Sequence, residues 1–331
     1  MEGKVADLLS FCSLVDFGAV NLSREEEAFR GELNQEMLSF CNHLPKSMQT
    51  KAALFLIKYL HASLSDGLNF VNYFYAPAWS ILFWLHQSCH NNRKLDPKYV
   101  KDAKTGQAMA MFLHAFDDHL TDSQLPITHL TLLMRTQSWM MMNRAFERLG
   151  RGVPKGATIV SGFIDDYYSS IAASDRMESL DNYCEFFKKQ MATWLIVPVL
   201  MAKRIYANEE SVRSVQAIYS SFGIAWRLLD DLQDIETDMR KGIRSSIYTC
   251  LPEKIRKRWD RVKEEKTDRD GGSAGKVLNY VQASGIIDRI KQRICSELES
   301  AASRADSCDM AGFADELRCL LRPLRNKENR S

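Results

Sequence analysis

The segment FDDHLTD sets Asp117, Asp118 and Asp122 at the end of one apolar run. A second segment, WRLLDDLQDIETDMRKG, sets Asp230, Asp231, Asp234, Glu236 and Asp238 at the end of another. A carboxylate at a helix C-terminus faces the negative pole of the dipole and costs roughly 0.3–1 kcal/mol. Helical spacing puts Asp118 and Asp122 on one face with Asp117 at its edge, and stacks Asp230, Asp234 and Asp238 along one stripe. Carboxylates grouped in this way repel one another unless positive charge sits between them. A solvated helix end accounts for one such cluster; two of them, each after an interior-type helix, point to a hard cation. Oxygen-only donors suit Mg²⁺, with phosphate oxygens and water completing its shell. No histidine or cysteine joins them at zinc-like spacing, and His114 and His119 are expected as wall or core residues.

The elements that must hold these carboxylates read as helices. Helical periodicity predicts segments at 46–66, 70–90, 97–121, 126–149, 157–173, 180–205, 209–239 and 252–265, with two or three more within 274–324. No alternating strand pattern and no Gly-Pro linker interrupts them, so an all-α fold in a single domain over residues 1–331 is expected. The stretches MAMFLHAF and IVPVLMA are apolar on most sides, as interior helices of a large bundle are, and Pro198 is expected to kink the second. The polar stretch EEKTDRDGGSAG predicts a loop.

Composition narrows the partners. With 45% hydrophobic and 26% charged residues and a net charge of +2, the chain has no overall bias toward nucleic acid or a membrane surface. Its eight cysteines are scattered singly, without zinc or redox spacing, which suits a reducing cytoplasm. The first residues lack a signal-peptide pattern, and the most apolar run, Ala192 to Ala202, is far shorter than the roughly 20 residues of a spanning helix. A soluble, cytoplasmic protein without stable membrane insertion is expected.

The spacing DDHLTD resembles the first aspartate-rich motif of class I isoprenoid synthases, and FGIAWRLLDDLQDIETDMRKGIRSS is similar to the second motif region of the trans-prenyl diphosphate synthases. The likeness runs from about Thr105 to Ile247 and includes GFIDD at Gly162 to Asp166; the paired motifs stand in order, about 110 residues apart. The resemblance implies an all-α bundle with a central cavity, its two acidic clusters facing each other across the mouth. It implies that Asp117, Asp118 and Asp122, with Asp230, Asp231 and Asp234, hold Mg²⁺, typically three ions, that grip a prenyl diphosphate; Asp117, Asp118 and Asp230 are the expected catalytic carboxylates. Metal ions then take up charge as diphosphate leaves, and an allylic carbocation remains. Arg240, Lys241 and Arg244 follow the second motif; the family's Gly-Lys position falls on Ile243, so Lys241 or Arg244 would substitute for that lysine, and Arg227 joins them as a diphosphate ligand.

The chain departs from the elongating members at the place where they clamp isopentenyl diphosphate. Their Gly-Gly-Lys-Arg-x-Arg-Pro motif is matched here by NFVNYFYAP, and the arginine pair after the first motif by SQLPITHL. Gln190 and Met191 replace a Lys-Thr pair, and Trp226 and Arg227 a Phe-Gln pair. Aromatic rings attract a cation by about 0.5–2 kcal/mol each. The expected wall consists of Phe70, Tyr73, Phe74, Phe112, Phe116, Phe163, Tyr167, Phe222 and Trp226. The first expectation is therefore a terpene synthase that ionises one prenyl diphosphate of ten to twenty carbons and cyclises or rearranges the cation. A prenyltransferase, elongating or alkylating another acceptor, is the alternative, followed by a non-catalytic regulatory subunit. The second motif keeps the prenyl-synthase form rather than the Asn-Ser-Glu type of many cyclases. A homodimer is common in the family.

Overall fold

The computed structural model describes residues 2–60, 69–89, 95–172, 177–264 and 272–325. Sixteen α-helices and one 3-10 turn run through them, with no strand among the described residues. In order they are α1 (Glu2–Leu14), α2 (Arg24–Asn42), α3 (Lys46–Tyr59), the 3-10 turn Phe70–Tyr73, α4 (Pro77–Gln87), α5 (Pro97–Thr121), α6 (His129–Arg151), α7 (Gly156–Ala172) and α8 (Leu180–Gln190). There follow α9 (Ala192–Ile205), α10 (Glu209–Gln233), α11 (Ile235–Lys241), α12 (Ser246–Cys250), α13 (Glu253–Val262), α14 (Ser273–Ala283), α15 (Ile286–Ser307) and α16 (Ala311–Arg325).

Helix α9 is the axle of the bundle: it touches α4, α5, α6, α7 and α10, and every residue from Ala192 to Ala202 is buried. Pro198 lies within it, and the helix is continuous through that position. Helix α5 reaches α9 closely because of Gly106, where a Cβ would sit 3.1 Å from Val197 and 3.3 Å from Phe146. The longest acid-bearing helices, α5 and α10, are anchored along their lengths by α6 and α15 respectively. Their starts are fixed locally: Asp96 accepts from Lys98 N ahead of Pro97, and Asn208 accepts from Ser211 N.

Three predicted helices are subdivided. The 70–90 segment is a 3-10 turn and then α4, because Pro77 occupies the first turn of a new helix and cannot donate to a preceding one. The 180–205 segment breaks at Met191, where Trp194 N turns to the i−3 carbonyl and Gly223 opposite has no side chain to meet Met191. The 209–239 segment breaks at Asp234, yet Asp234 N bonds Asp230 O at 2.9 Å and Asp238 N bonds Asp234 O at 2.8 Å, so the acidic stripe stays in register. Helices α1 and α2 lie outside the predicted set, although Ser23 and Glu26 form a complete capping box at the start of α2. The predicted loop after Glu264 falls largely outside the described residues, as does the predicted end of α3 beyond residue 60. Among the described residues no helix is long and apolar enough to cross a membrane, and the eight cysteines are free thiols.

Candidate active site

The end of α5 presents its three carboxylates in three different settings. Asp117 is turned toward α6, where Arg135 grips it with Nε at 2.8 Å and Nη2 at 2.9 Å in a bidentate pair. Asp118 keeps surface open to solvent, yet partial desolvation of its carboxyl and then the neighbouring Asp122 raise its pKa against the pull of Arg227, His119 and Lys241. Asp122 receives Lys241 Nζ at 3.2 Å, a direct link from the first acidic cluster to the residues after the second. His119 Nδ1 is paired with the Tyr59 hydroxyl at 2.7 Å, so this histidine belongs to the wall.

The end of α10 divides its carboxylates more sharply. Asp231 is 1% exposed: Tyr183 Oη donates to its Oδ1 at 3.1 Å, Ser246 N donates to its Oδ2 at 2.8 Å, and Arg227 Nε lies 3.1 Å away. With both oxygens engaged inward, Asp231 holds α8, α10 and α12 together, and a metal-ligand role would require those bonds to break. Asp230 instead has a side chain 39% exposed, paired with Arg227 Nη1 at 3.1 Å. Its pKa is pushed up to about 6, by burial first and then by Asp231, Asp234 and Asp118 against the opposing charge of Arg227. The influence of Asp118 on Asp230 brings the two clusters within electrostatic reach of each other. Asp234 is exposed next to it, and Asp238 is buried with its Oδ2 unpartnered. Burial, followed by Asp231, pushes Asp238 up to about 8.

Behind the second cluster lies a cavity of about 700 Å³ lined by Arg227, Arg244 and Lys263 together with Tyr183, Gln190 and the Gly242-Ile243 backbone. Its position depends on Gly242, the C-cap of α11, whose φ of 73° is a left-handed conformation that favours glycine. The Lys263 stem passes directly over that glycine: a Cβ at Gly242 would stand 2.9 Å from Lys263 Cδ. Arg244 lies 5.3 Å over the Tyr248 ring and 3.7 Å from Asp260, while Arg227 accompanies Tyr183 Oη at 2.9 Å. Two of the three sequence-expected cations, Arg227 and Arg244, thus share one cavity, while Lys241 pairs with Asp122 of the first cluster. Lys263 carries no motif; only the fold brings α13 back over Gly242.

Most of the expected aromatic wall is packed core. Phe112, Phe116 and Phe222 are fully buried; Phe112 stacks on Phe116 at 4.8 Å and meets Phe70 at 5.8 Å, and Phe222 lies 6.2 Å from Tyr219. Phe74 sits edge-on to Trp194 at 5.5 Å, and Trp194 stacks on Trp226 at 5.7 Å, one turn before Asp230. His114 joins this group 4.9 Å from Trp194; burial, then Arg227, lowers its pKa to about 4, so it presents a neutral ring. Tyr167 packs on Trp139 at 6.4 Å and feels Asp117 and Arg135 rather than the Trp194 group, and Phe163 is half-buried on the same helix. The Tyr73 side chain lies outside the described residues.

The donor set fits a divalent cation. Asp118 and Asp230 both have raised pKa values, from burial first and then from neighbouring carboxylates, and a cation would relieve both. Among the described residues, no three acidic, histidine or cysteine side chains already converge at metal distance, so any ion would gather carboxylates that now stand apart or paired.

No protein-family model matches the sequence, and no curated protein matches it. Solved structures match over nearly the whole chain. The geranylgeranyl pyrophosphate synthase of Corynebacterium glutamicum superposes with a TM-score of 0.66 at 11% identity, covering 97% of this chain and 100% of that one. The geranylgeranyl pyrophosphate synthetase of Pyrococcus horikoshii gives a TM-score of 0.63 at 14% identity over 98% of this chain and 100% of that one. The polyprenyl synthase of Caulobacter crescentus, solved in complex with calcium and isoprenyl diphosphate, gives 0.61 at 12% identity over 96% of each chain. The helical bundle described above is therefore the all-α isoprenoid synthase fold in the form carried by the trans-prenyl diphosphate synthases.

Proposed function

We propose that the protein is a Mg²⁺-dependent prenyltransferase that ionises a prenyl diphosphate of ten to twenty carbons and passes the allylic group to an acceptor other than isopentenyl diphosphate. The observation that carries this reading is the meeting of the two acidic clusters, tied by Lys241 and Asp122, beside the cavity lined by Arg227, Arg244 and Lys263. Mg²⁺ held by Asp118, Asp122, Asp230 and Asp234 would supply Lewis-acid neutralisation of the departing diphosphate. Asp117 joins them if Arg135 yields, and Asp231 serves to position Arg227 and Tyr183. Arg227, Arg244 and Lys263 hold the phosphate oxygens through charge-assisted hydrogen bonds. Half-buried Trp226 and neutral His114 provide ring faces toward the prenyl end, backed by the buried Trp194.

Transfer is preferred over the cyclisation first expected from the sequence. Solved structures of the same fold are named as prenyl synthases, and Phe112, Phe116 and Phe222, assigned to a cyclase wall, are spent on packing against one another and their neighbours. The terpene synthase reading retains one supporting observation, the half-buried Trp226 stacked on Trp194 beside Asp230. Purified protein, Mg²⁺ and farnesyl diphosphate separate the two. Transfer predicts that diphosphate release rises on adding an acceptor and that the product carries both parts. Vigorous release from farnesyl diphosphate alone with a hydrocarbon product overturns it, and a longer diphosphate made with isopentenyl diphosphate overturns the choice of acceptor.

The cavity assignment has its own test. Lys263 is exposed and forms none of the described ion pairs, so Lys263→Ala should leave the melting temperature unchanged. Loss of one charge-assisted contact of about 1.5 kcal/mol should weaken binding of Mg²⁺-pyrophosphate about tenfold, measured by calorimetry. Parental affinity in the variant removes Lys263 from the site.

A further inference from the structure

The loop joining α1 to α2 is strapped across the start of α4 and the end of α10. Gln233 Nε2 donates to Val15 O at 2.7 Å, Gly18 N donates to Leu320 O at 3.2 Å, and Phe17 sits edge-on to Tyr75 at 4.8 Å. Asp16 Oδ1 accepts from Phe17 N at 2.7 Å and from the Tyr75 hydroxyl, which leaves Oδ2 for another donor. Between loop and helix is a pocket of about 330 Å³, with rings from Phe17, Phe74, Tyr75 and Trp79 and charges from Asp16 and Arg30. Arg30 is committed to Glu27 on its own helix.

Two contacts connect this pocket to the acidic clusters. The Tyr75 hydroxyl bonds to Asp16 and Gln233 and feels the negative charge of Asp230. On the other side, the Phe74 ring borders Trp194, whose stacking partner Trp226 lies one turn before Asp230. The Tyr75 rim of the pocket is thus electrostatically coupled to Asp230, the carboxylate beside which the prenyl-transfer reading releases the allylic carbon.

We propose that this pocket is the acceptor site and that it takes a neutral aromatic nucleophile bearing an N–H or O–H, of the indole or phenol class, whose proton passes to Asp16. The inference rests on the prenyl-transfer reading above. Ring faces suit a flat acceptor, and a carboxylate suits its donor group. A second diphosphate would bring its negative charges against Asp16, with Arg30 already paired. In the reaction, the bond from prenyl C1 to the diphosphate oxygen breaks and its electron pair leaves with diphosphate. A ring carbon, oxygen or nitrogen of the acceptor supplies the pair for the new bond to C1. The proton displaced from the acceptor goes to Asp16 Oδ2 and then to water.

Asp16→Asn separates this role from that of a strap, because the amide oxygen still accepts from Tyr75 and Phe17 N but is no base. The full chain is incubated with Mg²⁺ and farnesyl diphosphate plus indole, 4-methylphenol or isopentenyl diphosphate, following diphosphate release and prenylated products by mass. Farnesylated indole or methylphenol is expected, with no elongation. Asp16→Asn should lose about a hundredfold in kcat, the lower range for general-base catalysis, with little change in KM for farnesyl diphosphate. Alkylation by Asp16→Asn at the parental rate overturns the proposal, as does elongation of isopentenyl diphosphate. Diphosphate release without alkylation of either aromatic overturns the acceptor site and leaves the ionising site standing. No release under any condition removes the prenyl-transfer reading itself.

Discussion

Asp230→Asn is expected to lower Mg²⁺-dependent diphosphate release about a thousandfold while the metal-free protein melts no lower than the parent. Both effects have one origin. The carboxylate is pushed up to about 6 because burial and the neighbouring Asp231, Asp234 and Asp118 outweigh Arg227. An acid whose folded pKa is raised contributes stability that is present below its ordinary pKa and lost as pH rises through the folded value. At pH 7.5 the charge is therefore a net burden on the empty fold, and an amide removes it. The gain is small, since the side chain is 39% exposed and screened by water. On the proposed function the same environment would favour a metal, and losing one carboxylate ligand at roughly 4 kcal/mol of charge stabilisation gives the thousandfold figure. Asp231→Asn provides the contrast: it disturbs a buried anchor of Tyr183, Arg227 and Ser246 N, so its melting temperature should fall with or without metal. Steady-state diphosphate release and thermal melts in EDTA and in Mg²⁺ measure both variants. Equal turnover in Asp230→Asn and the parent would sink the metal site, and equal melting losses in the two variants would sink the division of labour between neighbouring aspartates.

That division shows where the sequence stops being legible. Interior helices were readable because burial leaves a pattern: Ala192 to Ala202 is apolar on every side and lies at the axle of the bundle. The bounds of α5 followed from Pro97 behind Asp96, and the two acidic clusters from charge placed against helix dipoles. Which way each carboxylate turns depends on partners distant in the chain. Arg135 claims Asp117 from 18 residues away, and Ser246 N claims Asp231 from 15. No local spacing encodes either contact. Lys263 and Asp16, proposed for phosphate binding and proton transfer, were silent for the same reason, since one lies over a left-handed glycine and the other in a loop strapped to Gln233. Phe112, Phe116 and Phe222 lie in the packed core, which sequence could not distinguish from a wall, because a helix face toward a cavity and one toward a neighbouring helix have the same composition.

The second large effect lies away from the cleft, at Glu316 on α16. This glutamate is 4% exposed; its Oε2 accepts from Ser80 Oγ at 2.6 Å and its Oε1 from Trp84 Nε1. Glu26, also 4% exposed, lies beside it, accepting from Ser23 N at 2.7 Å through Oε2 and leaving Oε1 without a partner. Burial pushes the Glu316 carboxyl up to about 8; Ser80 and Trp84 oppose that rise and Glu26 adds to it. Below that pH the proton gives Glu26 a donor and joins α2 to α16; above it two buried carboxylates face each other. An unfolded glutamate titrates near 4.5, so the folded protein holds the extra proton between about 4.5 and 8. Stability from this site is complete below that window and is lost as pH rises through it. The slope approaches 1.4 kcal/mol per pH unit for one group, with a ceiling of about 4–5 kcal/mol across the window. Glu316→Gln keeps the shape, the acceptor for Ser80 and a donor for Glu26, and cannot ionise. Asp238 slopes in the same direction, so the informative quantity is the difference between parent and variant in urea unfolding at pH 5.5, 7.0 and 8.5. The parent should lose stability relative to Glu316→Gln at each step upward. Parallel profiles would show that Glu316 is already ionised at pH 5.5 and that the link between α2 and α16 rests on the hydroxyl and indole alone.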